Sequence, residues 1–160
     1  MIPAVTKDGI VVSSTYIREL IENGEMEKAN EYLGHPHSLT DIVHTGFKLG
    51  TKMGTPTINM FFPRGVIIPR FGVYAAKVYL DDGSTHIAVT NIGIRPTVSE
   101  TKSVSVESYI LDFNEILYGR TVRVEFYKHL RDERKFDDFE ELSKQIRRDA
   151  EETRLYFESK

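Results

Sequence analysis

Fourteen consecutive residues hold the pattern most able to do chemistry: Gly46-Phe-Lys-Leu-Gly-Thr-Lys-Met-Gly-Thr-Pro-Thr-Ile-Asn59. Glycines stand four apart at Gly46, Gly50 and Gly54, and Pro56-Thr57-Ile58-Asn59 follows at once. Glycine lets backbone N–H groups approach an anion with no Cβ in the way. Successive N–H groups in such a turn form a concave nest for phosphate. If the piece after Pro56 is extended, Thr57 and Asn59 point to the same face. A hydroxyl and an amide carbonyl are hard oxygen ligands of the kind Mg²⁺ takes, with phosphate and water completing its shell. Nest and shelf together read as a nucleotide site. The competing reading is a glycine-rich connection between strands, with Thr and Asn as turn formers. The stretch is not a Walker loop, because it lacks the Gly-Lys-Ser/Thr ending and Pro56 forbids a helix running through it.

A candidate base lies in Val104-Ser-Val-Glu-Ser-Tyr-Ile-Leu111. With a period of two, Val104, Val106 and Ile110 share a core face, and Ser105, Glu107 and Tyr109 share the other. Glu107 then stands on a polar face between a serine and a tyrosine. Glu125, in Val122-Arg-Val-Glu-Phe126, shows the same local pattern. Pattern alone does not choose between them, and both fit ordinary solvent-facing strand carboxylates.

The elements that must position these residues follow from periodicity. A hydroxyl-rich Ser13-Ser14-Thr15 before Tyr16 to Glu22 signals a helix start, and Asn23-Gly24 ends it. Glu25 to Leu33 reads as a second short helix, stopped by Gly34 and Pro36, so residues 1–36 form a helical prelude. From Leu39 the texture is β. Strands are expected at Gly72–Leu80, Thr85–Ile92, Val104–Leu111 and Thr121–Leu130. Asp81-Asp-Gly-Ser84 makes a hairpin turn of type I′. Consecutive strands without intervening helices argue against a doubly wound sheet and for a small closed antiparallel barrel. The tail from Asp138 to Phe157 has helical spacing and packs on the barrel with a charged outer face.

At 160 residues the chain suits one domain with an appendage. A net charge of −3 argues against a general nucleic-acid binder. No apolar run approaches a membrane span, and the first residues carry no long apolar leader segment. The absence of cysteine excludes disulfides and thiolate metal sites and is compatible with a reducing cytoplasm.

Taken together these pieces resemble the riboflavin kinase module. The resemblance rests on the glycine–Pro-Thr-x-Asn stretch at 46–59, on Gly72-Val-Tyr74 and on Asn91-Ile-Gly-Ile-Arg-Pro-Thr97. It continues through Val106-Glu-Ser-Tyr-Ile-Leu-Asp-Phe113, Leu117-Tyr-Gly119, Leu130-Arg-Asp-Glu-Arg-Lys-Phe136, Gln145-Ile146 and Asp149. It implies a mainly β fold, a six-stranded antiparallel closed barrel with a C-terminal helix and a short N-terminal helical segment. It implies transfer of the ATP γ-phosphoryl group to the 5′-hydroxyl of riboflavin, giving FMN and ADP. Glu107 would be the catalytic glutamate. Gly46, Lys48, Gly50, Thr51, Lys52, Gly54, Thr57 and Asn59 would bind the nucleotide, and Thr57 and Asn59 would ligate its Mg²⁺. Arg131, Phe136, Pro96 and Thr97 would face the flavin. The expected partners are small molecules, with neither nucleic acid nor membrane among them.

The prelude resembles the segment joining the two modules of bacterial bifunctional riboflavin kinase/FAD synthetases. The expected division is residues 1–37 as a linker left from an adenylyltransferase module and 38–160 as the kinase barrel with its helix. The catalytic body of that FMN adenylyltransferase module is expected outside this chain, leaving Ser14 and Arg18 idle. Thr51 stands where many relatives carry a basic residue; either Lys52 reaches the phosphates instead or that contact is missing. Ile58 should pack beneath the loop. Without turnover, the same features would serve a flavin- or nucleotide-binding regulatory module.

Overall fold

The computed structural model describes residues 5–7, 10–12, 14–44, 57–63, 65–96, 102–113, 115 and 117–159. Residues 45–56 and 97–101 therefore lie outside the description, and with them the expected nucleotide residues Gly46, Lys48, Gly50, Thr51, Lys52 and Gly54 and the flavin residue Thr97.

The prelude opens with an unexpected hairpin. β1 (Val5–Lys7) and β2 (Ile10–Val12) pair antiparallel, with Val5 opposite Val12. Each strand is too short for a period to register, although Asp8-Gly9 between them is a hairpin signal. Helices α1 (Ser14–Glu22) and α2 (Met26–Leu33) follow as expected. Gly34 closes α2 in the left-handed conformation, φ 81°, and donates its N–H to the Asn30 carbonyl. Ile17, Leu20 and Ile21 of α1 and Met26 and Ala29 of α2 are buried in the same apolar cluster as the strand interior. The prelude thus packs into the barrel core.

Six strands build the sheet: β3 (His37–Ile42), β4 (Thr57–Phe61), β5 (Gly72–Leu80), β6 (Thr85–Pro96), β7 (Lys102–Ile110) and β8 (Thr121–Arg131). Their order is β3-β8-β5-β6-β7-β4, every neighbour antiparallel. The sheet curls into a half-barrel until its edge strands meet. The His44 N–H donates to the Asn59 carbonyl at 2.8 Å, and the Phe61 N–H donates to Asp41 Oδ2 at 3.0 Å. Inside lie Leu39, Ile58, Met60, Tyr74, Val106 and Phe126, each at most 3% exposed. Truncating an enclosed ring such as Phe126 to alanine would cost about 3–5 kcal/mol. Ile58 is buried in the core, which turns Thr57 and Asn59 to the outer face, and the loop it was expected to pack beneath lies outside the described residues.

Two features of the strands escape a simple period. The register between β5 and β8 shifts twice, pairing Val73 with Arg131, Tyr74 with His129, Ala75 with Lys128 and Ala76 with Phe126. Each shift adds a residue to β8, the mark of a bulge. Together they let His129 meet the enclosed Tyr74 ring, centroids 5.1 Å apart, and turn Arg131 outward. The turn between β5 and β6 also differs from type I′. Only Gly83 has a positive φ, 88°. Its N–H donates to the Leu80 carbonyl and the Leu80 N–H to the Ser84 carbonyl, a type I turn followed by a glycine bulge.

Helix α3 (Phe139–Glu158) starts at Asp138, whose Oδ1 accepts the Glu141 N–H at 2.8 Å. It lies on the outer face of the half-barrel, where Ala150 joins Val73, Val89 and Leu111 in a second apolar cluster.

Candidate active site

Strand register sets the first part of the site. Thr57 stands opposite Tyr109 and Asn59 opposite Glu107 across β4 and β7. Asn91 of β6 is the partner of Glu107 on the other side. Asn59, Glu107 and Asn91 therefore form one row across three neighbouring strands. Asn59 is 9% exposed, and its Oδ1 has no hydrogen-bond partner among the described residues. An unpaired buried carbonyl costs about 1–3 kcal/mol, so a polar partner is strongly favoured there. Hard oxygens from Thr57 and Asn59 on one face are donors suited to Mg²⁺, with the Glu107 carboxylate on the neighbouring strand.

Glu107 and Asn91 of this row line a cavity of about 600 Å³ between the outer sheet face, the segment after β8 and α3, whereas the buried Asn59 is not part of its lining. Thr57, Glu107, Arg131 and Phe136 all line it, bringing four sequence-derived candidates to one place. Val73, Val89, Leu142 and Ile146 give it an apolar floor and wall. Size and lining suit a small organic ligand held by apolar contacts and a few polar groups. Pro96 ends β6 at its pairing with Lys102, and the placement of its side chain is not described.

Two polar contacts shape the cavity wall. Arg131 Nε and Nη2 donate to Asp149 Oδ1 and Oδ2 at 3.0 and 2.8 Å, and Gln145 Nε2 donates to Asp149 Oδ1 at 3.0 Å. The Arg131 guanidinium lies 5.9 Å from the Phe136 ring centroid. Beyond it, Asn91 Nδ2 donates to Glu133 Oε1 at 3.2 Å. The Glu133 carboxylate lies against Gly93, where any Cβ would collide with it.

The riboflavin kinase family model matches residues 33–157. The chain belongs to the riboflavin kinase family. It is 39% identical over 159 residues to a bifunctional riboflavin kinase/FMN adenylyltransferase of Bacillus subtilis, covering 98% of this chain and 50% of that one. A protein of the same description from Haemophilus influenzae is 39% identical over 148 residues, covering 92% of this chain and 47% of that one. The chain thus spans about half the length of the curated relatives it matches. A solved Streptococcus pneumoniae structure described as a macrolide-efflux protein superposes with a TM-score of 0.85 at 32% identity, over 96% of this chain and 50% of that one. Among the described residues, no helix of this chain is long and apolar enough to cross a membrane.

Glu125, the other candidate base, falls away from the cavity. Glu125 accepts the Tyr127 hydroxyl at 2.9 Å, lies 3.4 Å from Arg123, and does not line the cavity. Geometry thus separates it from Glu107, which pattern did not. His44 bridges to Asn59 through its backbone while its ring pairs with Asp41 at 3.2 Å. His37 donates its Nε2–H to the Ile67 carbonyl at 2.7 Å, and burial holds its pKa below the ordinary value. Among the described residues no group of three or more His, Cys, Asp or Glu side chains is placed to hold a metal ion. Tyr118 is exposed and outside the cavity. Helical spacing marks α3 only as a helix packed on the barrel, yet its Asp149 is 2% exposed and grips a cavity residue. Tyr109 was the more findable lining residue, since it shares the face of Glu107.

Proposed function

We propose that this chain is an ATP-dependent riboflavin kinase. The observation that carries the reading is the pairing of Asn59 with Glu107, itself a lining residue of the cavity, in a member of this family. Glu107 accepts the proton of the ribityl 5′-hydroxyl as that oxygen bonds to the γ-phosphorus. The bond from phosphorus to the β–γ bridging oxygen breaks, ADP leaves, and FMN remains. A positioned base of this kind contributes about 10²–10⁴-fold. Thr57 and Asn59 would hold Mg²⁺, which neutralises charge on the phosphates when bound. Gly46, Lys48, Gly50, Thr51, Lys52 and Gly54 cradle the phosphates. Arg131, Phe136, Pro96 and Thr97 surround the flavin ring.

Residues 38–160 form the kinase unit in this reading. Residues 1–37 are a linker toward an FMN adenylyltransferase module in the whole protein, which works in the cytoplasm. Incubation with riboflavin, ATP and Mg²⁺, with FMN and FAD separated, tests the proposal. FMN without FAD is the expected product. Riboflavin binding without FMN would instead favour a regulatory module.

A further inference from the structure

Asp149 is a carboxylate on a helix, almost fully enclosed, whose hydrogen bonds go to Arg131 and Gln145. Enclosing an ion pair costs desolvation that attraction only repays with good geometry, and a well-packed apolar pair stabilises a fold as well. The pair does, however, fix orientation. A guanidinium carries five N–H hydrogens in a planar fork. Asp149 takes the edge formed by Nε and Nη2, and Nη1 donates to the Asp132 carbonyl at 3.2 Å. One hydrogen on each Nη is then left over at the end of the fork, on a side chain that lines the cavity and is 25% exposed.

Register places this fork relative to the chemistry. Glu107 pairs with Asn91, Asn91 with Val73, and Val73 with Arg131, so three strand spacings separate Glu107 from Arg131. At ~4.8 Å each, that is roughly 14 Å along the curved sheet. Such a span holds the two ends of one elongated ligand rather than one reacting group. We infer that Asp149 is a positioning residue: gripping one edge of Arg131, it presents the end of the guanidinium to an acceptor oxygen on the ring of the flavin substrate. Gln145 steadies Asp149 from the preceding helical turn. The inference rests on the kinase reading above.

The test compares steady-state kinetics of Asp149→Asn, Asp149→Glu, Arg131→Ala and the Asp149→Asn/Arg131→Ala double variant. An amide at 149 turns one acceptor into a donor facing Arg131. The expected result for Asp149→Asn is a rise of about tenfold in KM for riboflavin, with kcat and the KM for MgATP within about twofold. Asp149→Glu should recover part of the loss, and Asp149→Asn should add nothing when Arg131 is already alanine. A folded Asp149→Asn with unchanged riboflavin KM overturns the inference, as does an equal rise in the Arg131→Ala background. Should Asp149→Asn not fold, Gln145→Ala carries the test: a smaller rise in riboflavin KM supports the role, and none overturns it. A wild-type chain that makes no FMN removes the kinase reading itself. Wild-type turnover beside an indifferent Asp149→Asn removes the positioning role alone.

Discussion

Asn59 and Glu107 stand directly opposite each other on neighbouring strands, the Asn59 side-chain oxygen buried and without a partner among the described residues. A carbonyl kept in that state lowers the stability of the empty protein, and a ligand that takes it up recovers the loss. Asn59→Ala should therefore leave the Tm of ligand-free protein unchanged or higher. It should also weaken MgATP binding by about tenfold or more and leave riboflavin binding intact. Calorimetric titration with each ligand checks this, and equal loss of both would point to damage to the fold.

Glu107→Gln removes the proton acceptor of the proposed mechanism and keeps the size of the side chain. Turnover to FMN should fall by at least about a hundredfold, with riboflavin still bound. Glu125→Gln is the matched control, because Glu125 sits on the same kind of strand face but bonds Tyr127 instead of lining the cavity. Its FMN production should equal that of the wild type. A normal rate for Glu107→Gln would retire Glu107 as the base.

His37 gives the fold an acid-side weakness. Burial lowers its pKa, the Ile67 carbonyl acting against that and nearby His35 with it. In acid the unfolded chain therefore binds a proton that the folded chain resists. The contribution to stability is complete above the ordinary histidine value of about 6.5 and is lost as pH falls below it. Thermal melts between pH 7.5 and about 5 should show a falling Tm. His37→Gln can still donate to Ile67 without titrating, and should flatten the lower part of that curve.

Gly72 opens β5 at φ 141°, and a Cβ there would lie 2.5 Å from both the Arg131 carbonyl and His129 Nε2. The carbonyl is backbone and has little room to retreat. Gly72→Ala should destabilise the protein by about 2 kcal/mol in urea unfolding. It should also raise the riboflavin KM, since the strain falls on Arg131, which the kinase reading sets against the flavin.

The strands were legible because each has one wet and one dry face. The alternation at 104–111 placed Val106 and Ile110 inside and Glu107 outside before any pairing was known. Pairing itself was not legible. Glu107 and Glu125 share a local pattern, and only the strand order sets one beside Asn59 and the other beside Lys77. The bulges in β8 insert residues without changing composition, so the outward turn of Arg131 after an inward His129 left no trace in the period. The helical period alone did not set Asp149 apart from other charged residues of α3, although the resemblance included it, because its burial depends on what α3 lies against. The strands of the first hairpin, at three residues each, were too brief to outweigh the helical signals after them.

The bridge between His44 and Asn59 has a mechanical consequence. Where β3 runs out, the two free margins of the sheet are stitched at Asn59, the residue whose side chain the kinase reading assigns to the nucleotide's Mg²⁺. Traction on that side chain is transmitted to the stitch. Amide exchange at His44 and Phe61 is expected to be among the fastest in the sheet when no nucleotide is present and to slow on loading, so that these two protons serve as built-in reporters of occupancy.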